Sequence, residues 1–130
     1  MEPEDAEAAV KSGADAIVVS NHGGRQLDGA PSSIRALPRI VSAVGNDIEV
    51  WMDGGIRSGQ DILRAWALGA RGVLIGRAYI YGLGAYGEAG VTRALEILYN
   101  EMDITMAFTG HRNIQNVTRD ILVEGTYPIG

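Results

Sequence analysis

Three short apolar runs punctuate this chain, and a cluster of glycines and polar side chains follows each one directly. Residues 16–20 (AIVVS) lead into SNHGGRQLDG at 20–29, residues 48–52 (IEVWM) into DGGIRSG at 53–59, and residues 73–75 (VLI) into GRAYIYG at 76–82. Runs this short, apolar on both faces and separated by helical stretches, predict right-handed βα units around a parallel sheet. The polar clusters come after the strands, not before them. In parallel α/β folds ligands bind at the carboxyl ends of strands, so all three clusters are expected to face one site.

The intervening stretches carry helix signals. Pro3 suits a first helical position, Glu4 and Asp5 favour the positive N-terminal end, and Gly13 stops a helix over 3–12. Ser32 or Ser33 opens a second helix with Ile34, Leu37, Ile40, Val41 and Val44 on one side. Pro38 inside that helix predicts a regular part beginning only at Leu37. Ser58, with Asp61 three residues on, is the signature of a capped third helix that ends at Gly69 and carries Ile62 and Trp66 on one face. A short helical turn is expected at 78–81. From about Glu88 to Phe108 runs a long helix with Val91, Leu95, Leu98, Met102 and Met106 at helical spacing. Trp51, Trp66 and the methionines read as core.

Composition narrows the function classes. The 130 residues suffice for one domain, and 46% of them are hydrophobic. A net charge of −5, with acids and bases interspersed, argues against nonspecific nucleic-acid binding and against a basic membrane-surface helix. The absence of cysteine rules out a disulfide framework and a thiolate metal site, and no metal site is expected. No stretch approaches the roughly 18 consecutive apolar residues of a membrane span. The acidic start MEPEDAEAAVKSG is unlike a signal peptide, so a soluble, cytoplasmic domain is the expectation.

The clusters have a chemistry. In DGGIRSG, Gly54 and Gly55 let backbone N–H groups approach an anion, Arg57 offers a bidentate fork, and Ser58 opens a helix whose N-terminus is partly positive. One strand later Gly76 and Arg77 repeat the offer. Barrels often build a phosphate site in this way after their last two strands. Tight turns and solvated arginines are the plain alternative for either cluster alone. A histidine such as His22 can serve as a proton acceptor in catalysis, while Arg25 can clamp a carboxylate but cannot act as a base. Asp28-Gly29 reads as a turn, and His111 as a structural residue near a helix end.

The segments SNHGGRQLDG, DGGIRSGQDILRAWALGA and GVLIGRAYIYGL strongly resemble the FMN-dependent α-hydroxy-acid dehydrogenases and oxidases, a family that includes glycolate oxidase, lactate oxidase, L-lactate dehydrogenase and mandelate dehydrogenase. The resemblance runs from about residue 2 to the end. It implies that residues 1–130 form the C-terminal half of such a domain, part of a TIM (β/α)8 barrel that is incomplete in this chain. It implies His22 as the active-site base, Arg25 as the substrate-carboxylate ligand and Ser20 as a flavin contact. Asp53, Gly54, Gly55, Ile56 and Arg57, with Gly76 and Arg77, would line the ribityl phosphate of FMN. The implied reaction oxidises an L-2-hydroxy acid of lactate, glycolate or mandelate type to the 2-oxo acid, by hydride transfer or through a carbanion.

Closed barrels of this kind need ~250 residues. A family lysine on the strand before the segment matching Met1, a substrate-binding tyrosine and the aspartate that orients the histidine fall outside the sequence. Met1 is either a start codon or the residue that follows that lysine strand. Pairing with an N-terminal half barrel, or self-association into a homo-oligomer, is therefore expected. Two other readings stand beside the catalytic one: a non-catalytic phosphate- or flavin-binding module, and an inactive truncated homologue. The pair His22 and Arg25 favours catalysis, because a pure phosphate binder needs neither a base nor a carboxylate clamp.

Overall fold

The computed structural model describes residues 1–129. Helix α1 (Pro3–Lys11) precedes β1 (Ala16–Val19), and α2 (Ser33–Val44), β2 (Glu49–Met52), α3 (Gly59–Ala67), β3 (Gly72–Val73) and α4 (Arg77–Phe108) follow in that order. The strands form a parallel sheet in the order β1-β2-β3, with Val18 opposite Trp51 and Met52 opposite Val73. Successive neighbouring strands joined by helices are what the repeated βα pattern predicts. Strand β3 is shorter than the expected 73–75. Its pairing nevertheless continues as the Leu74 N–H donates to the Met52 carbonyl at 2.9 Å.

One face of the sheet is covered. Val19, Val50 and Met52 pack with Leu37, Ile40 and Val44 of α2 and with Ala65 and Leu68. A second cluster of Leu63, Ala67, Met106 and Val117 joins α3 to α4 and to the segment beyond it. Helix α2 is continuous through Pro38, contrary to the later start expected at Leu37. An interior proline costs about 3 kcal/mol through its missing N–H and its clash with the preceding turn. Leu37, Ile40 and Val44 are almost completely buried. Each contributes roughly 1.5–3 kcal/mol, so packing outweighs the proline.

The other face is open. Val18, Trp51 and Leu74 project from it at 49%, 36% and 43% exposure. The expectation that Trp51 is core is thus corrected: three strands cannot curl far enough to cover their own concave side. Trp51 instead lies over Gly72, where a Cβ would stand 2.9 Å from the indole ring, and its Nε1–H donates to Glu49 Oε2 at 2.9 Å. Trp66 is half-buried, with the Arg71 guanidinium 5.7 Å from its ring centroid.

Helix α4 is broken at Tyr86 (φ −144°) and Gly87 (φ 60°), so residues 77–85 form a first leg longer than the single turn expected there. The legs fold back with Gly82 and Gly90 backbone to backbone, an approach that any side chain at either position would block. Leu95 is half exposed, unlike Leu98 and Met106 of the same helix, which are buried. Among the described residues no helix is long and apolar enough to cross a membrane.

Candidate active site and phosphate cradle

The loop after β1 owes its shape to glycine. After β1, His22 adopts φ 57°, the one non-glycine residue among those described with a positive φ, and Gly23 (68°) and Gly24 (69°) continue the left-handed path. Residues with a Cβ rarely occupy that region, and where they do the site is often functional. Two hydrogen bonds hold the turn: the His22 N–H donates to Ser20 Oγ at 3.1 Å, and the Gly24 N–H to the Asn21 carbonyl at 3.0 Å. The His22 ring and the Arg25 guanidinium project into solvent at the end of β1.

Three strand ends meet in one cleft of about 370 Å³. It is lined by His22 and Arg25 after β1, by Asp53, Gly54, Gly55, Ile56 and Arg57 after β2, and by Gly76 and Arg77 after β3. The sequence-predicted site residues are brought together here with one exception. Ser20 lies outside this lining, and its hydroxyl serves the His22 backbone. Leu74, Ile75, Ala78 and Ile80 add an apolar wall that the polar motifs did not signal.

Arg25, Arg57 and Arg77 form no ion pair among the described residues. Three unneutralised guanidinium groups around one cleft make a strong field for an anion. Backbone donors sharpen it. Gly54 (φ 85°) and Gly55 (φ 81°) lie in the left-handed region, and space is open where a Cβ would stand at Gly55 and at Gly76. Gly76 flanks the start of α4 and supplies no side-chain cap, leaving the first N–H groups of that helix free for a ligand.

The N-terminus of α3, expected to join this cradle, is already satisfied. Asp61 Oδ2 accepts from the N–H groups of Arg57 (3.1 Å) and Ser58 (3.0 Å), and Ser58 Oγ accepts from the Asp61 N–H in the predicted capping box. Glu101 Oε2 takes the Gly59 N–H at 2.9 Å. Two carboxylates therefore hold the positive end of α3, and an added anion there would meet repulsion. The donors left free around the cleft are the Gly54-Gly55 turn, Arg57, Arg77 and the start of α4. His111 bonds only locally, with Nδ1 3.2 Å from Thr109 Oγ1, and lies apart from the cleft lining.

Residues 1–124 match the family model described as FMN-dependent dehydrogenase. The chain belongs to this family. It is 59% identical over 124 residues to an L-lactate dehydrogenase of Caulobacter vibrioides and 57% identical over 123 residues to one of Azorhizobium caulinodans; each match covers 95% of this chain and 32% of the relative. A solved mandelate oxidase variant with a monooxide FMN adduct superposes at a TM-score of 0.87 with 50% identity, covering 92% of this chain and 38% of that one. The chain thus spans about a third of the length of the curated relatives it matches. Its open α/β sheet is a partial (β/α)8 barrel.

The family cofactor, FMN, is tested by the donor set. A ribityl phosphate needs anion donors at one end and acceptors for its hydroxyl groups along the chain. The cradle supplies the donors. Asp53 supplies an acceptor: its Oδ1 is buried and has no hydrogen-bond partner, a costly state that a hydroxyl donor would relieve. The residues present fit the phosphate and ribityl end of FMN.

Proposed function

We propose that this chain carries the base, the carboxylate clamp and the flavin-phosphate cradle for FMN-dependent oxidation of an L-2-hydroxy acid to the 2-oxo acid. The observation that carries the reading is the shared cleft: His22 and Arg25 face the same space as Arg57, Gly76 and Arg77. A phosphate site alone would explain the last three and leave the first two without a task.

Converting R–CH(OH)–COO⁻ to R–CO–COO⁻ breaks one C–H and one O–H bond, makes a C=O bond, and releases two protons and two electrons. Bound FMN supplies the acceptor for the electron pair. The His22 imidazole takes up a proton lost by substrate, a role its ring nitrogen can fill as a general base. Arg25 holds the substrate carboxylate by its planar fork, which fixes the hydroxyl-bearing carbon relative to His22. Asp53 accepts from a ribityl hydroxyl, and Arg57 and Arg77 neutralise the phosphate.

The open face and the two sheet edges support a further part of this reading, that the chain works within an assembly. β1 and β3 each present an unpaired edge, and Val18, Trp51 and Leu74 require a cover. Either the strands completing a barrel or further copies of the chain would supply it. The test is anaerobic. The FMN-loaded chain, alone and with the remaining barrel strands supplied, is mixed with L-lactate, glycolate or L-mandelate while flavin absorbance is followed. Loss of the oxidised-flavin band with the complemented protein, and its persistence with His22→Gln, is the expected result. Bleaching that does not depend on His22 would overturn the reading.

A further inference from the structure

We infer that Asn21 and Ser33 are positioning residues that lock the base-bearing loop to the phosphate turn. Ser33 is the only polar or charged residue fully buried among those described, at 2% exposure. Its Oγ accepts the Asn21 N–H at 3.3 Å, while Asn21 Nδ2 donates to the Pro31 carbonyl at 3.2 Å. Asn21 therefore fastens the start of the 21–33 excursion to its end, and His22 is the next residue along. The same two side chains meet the phosphate turn. A Cβ at Gly54 would stand 3.1 Å from Ser33 Oγ and 3.3 Å from Asn21 Oδ1, so glycine alone lets the turn sit against them.

Asn21 Oδ1 is also buried without a hydrogen-bond partner. A buried polar pair of this kind is costly to maintain for stability alone, since apolar residues of similar shape would serve the packing as well. Its geometry does something that packing would not: one rigid unit joins the end of β1 to the end of β2. His22 in its left-handed conformation is then held in fixed relation to the Gly54-Gly55 backbone that receives the phosphate. The inference rests on the reading of His22 as the base, and its consequence concerns order in the loop and not turnover.

Backbone amide exchange in the isotope-labelled 130-residue chain tests it. Ser33→Ala removes the acceptor of the Asn21 N–H, so faster exchange at Asn21 is trivial. The inference requires exchange at His22, Gly24 and Arg25 to accelerate by about 10-fold or more, although their own acceptors (Ser20 Oγ, the Asn21 carbonyl and the His22 carbonyl) are untouched. Amides of Val50 and Met52 in β2 should change by less than about 2-fold. Asn21→Ala should reproduce the pattern, and Ser33→Thr, which keeps the oxygen, should restore protection. Acceleration confined to Asn21, or spread equally through β2, would overturn the inference. Because no turnover is measured, flavin bleaching that does not depend on His22 in the complemented protein, together with the expected exchange pattern, would overturn the proposed function and leave the lock standing.

Discussion

Glu101 Oε2, in the second leg of α4, accepts the Gly59 N–H at 2.9 Å, so the first residue of α3 is held by a side chain 42 positions further along the chain. The helices are close enough there that a Cβ at Gly59 would stand 2.5 Å from the Glu101 carbonyl carbon and 2.6 Å from the Leu98 carbonyl oxygen. Removing the carboxylate with Glu101→Ala leaves a part-buried donor unpaired, at an expected cost of about 1–3 kcal/mol. Gly59→Ala should cost more, about 3 kcal/mol or above, because backbone and not a flexible side chain opposes it. Urea midpoints at constant slope measure both. A Gly59→Ala midpoint equal to wild type would mean the two helices do not pack this closely.

Arg57 and Arg77 should distinguish FMN from riboflavin, which differ only in the phosphate. Either arginine changed to Ala is expected to weaken FMN by about 10-fold or more, the scale of a charge-assisted hydrogen bond, while riboflavin changes by less than about 2-fold. Fluorescence titrations with both ligands make the comparison. Parallel weakening would place the phosphate elsewhere.

Ser58 and Asp61, in contrast, should act on stability and not on the phosphate. Their hydrogen bonds are spent on the start of α3. Ser58→Ala is expected to cost about 1 kcal/mol and to leave the ratio of FMN to riboflavin affinity unchanged. A loss of phosphate discrimination in that variant would return α3 to the cradle.

For the chemical step, His22→Gln in the complemented protein should slow flavin reduction by at least ~10²-fold with FMN affinity kept, the usual scale for loss of a general base. Arg25→Lys should chiefly raise KM, since an ammonium cannot reproduce the planar fork. Rapid-mixing measurements across substrate concentration separate the two effects. Unchanged KM in Arg25→Lys would assign the carboxylate to another group.

The uncovered sheet face should make the isolated chain associate. Val18 and Trp51 stand side by side on it, and both edge strands are free. Light scattering is expected to report oligomers, and Val18→Lys, which places a charge on that face next to an edge, should shift the population toward monomer. A wild-type chain that stays monomeric over a wide concentration range would contradict this.

Local signals were readable in the residue order wherever they depend on neighbours a few positions apart. The Ser58–Asp61 capping box, the stop at Gly69, the three βα units and the gathering of polar clusters at strand ends all belong to this class. Each follows from spacing, backbone conformation and the handedness of βα connections. The tertiary arrangement decided what depends on distant partners. Trp51 is apolar and lies in a strand, yet whether it is core depends on how many strands share the sheet, and here one face has no cover. Pro38 stays inside α2 because Leu37, Ile40 and Val44 are buried on both sides of it, a gain invisible to helix propensity. The start of α3 carries every mark of an anion site, but Glu101 reaches it from another helix and closes it. Ser33 looked like one of two candidate helix starts; only the approach of β1 and β2 made it the shared contact of Asn21 and Gly54. Short-range backbone preferences act within a segment, whereas burial and charge pairing are settled by whichever segments arrive beside it.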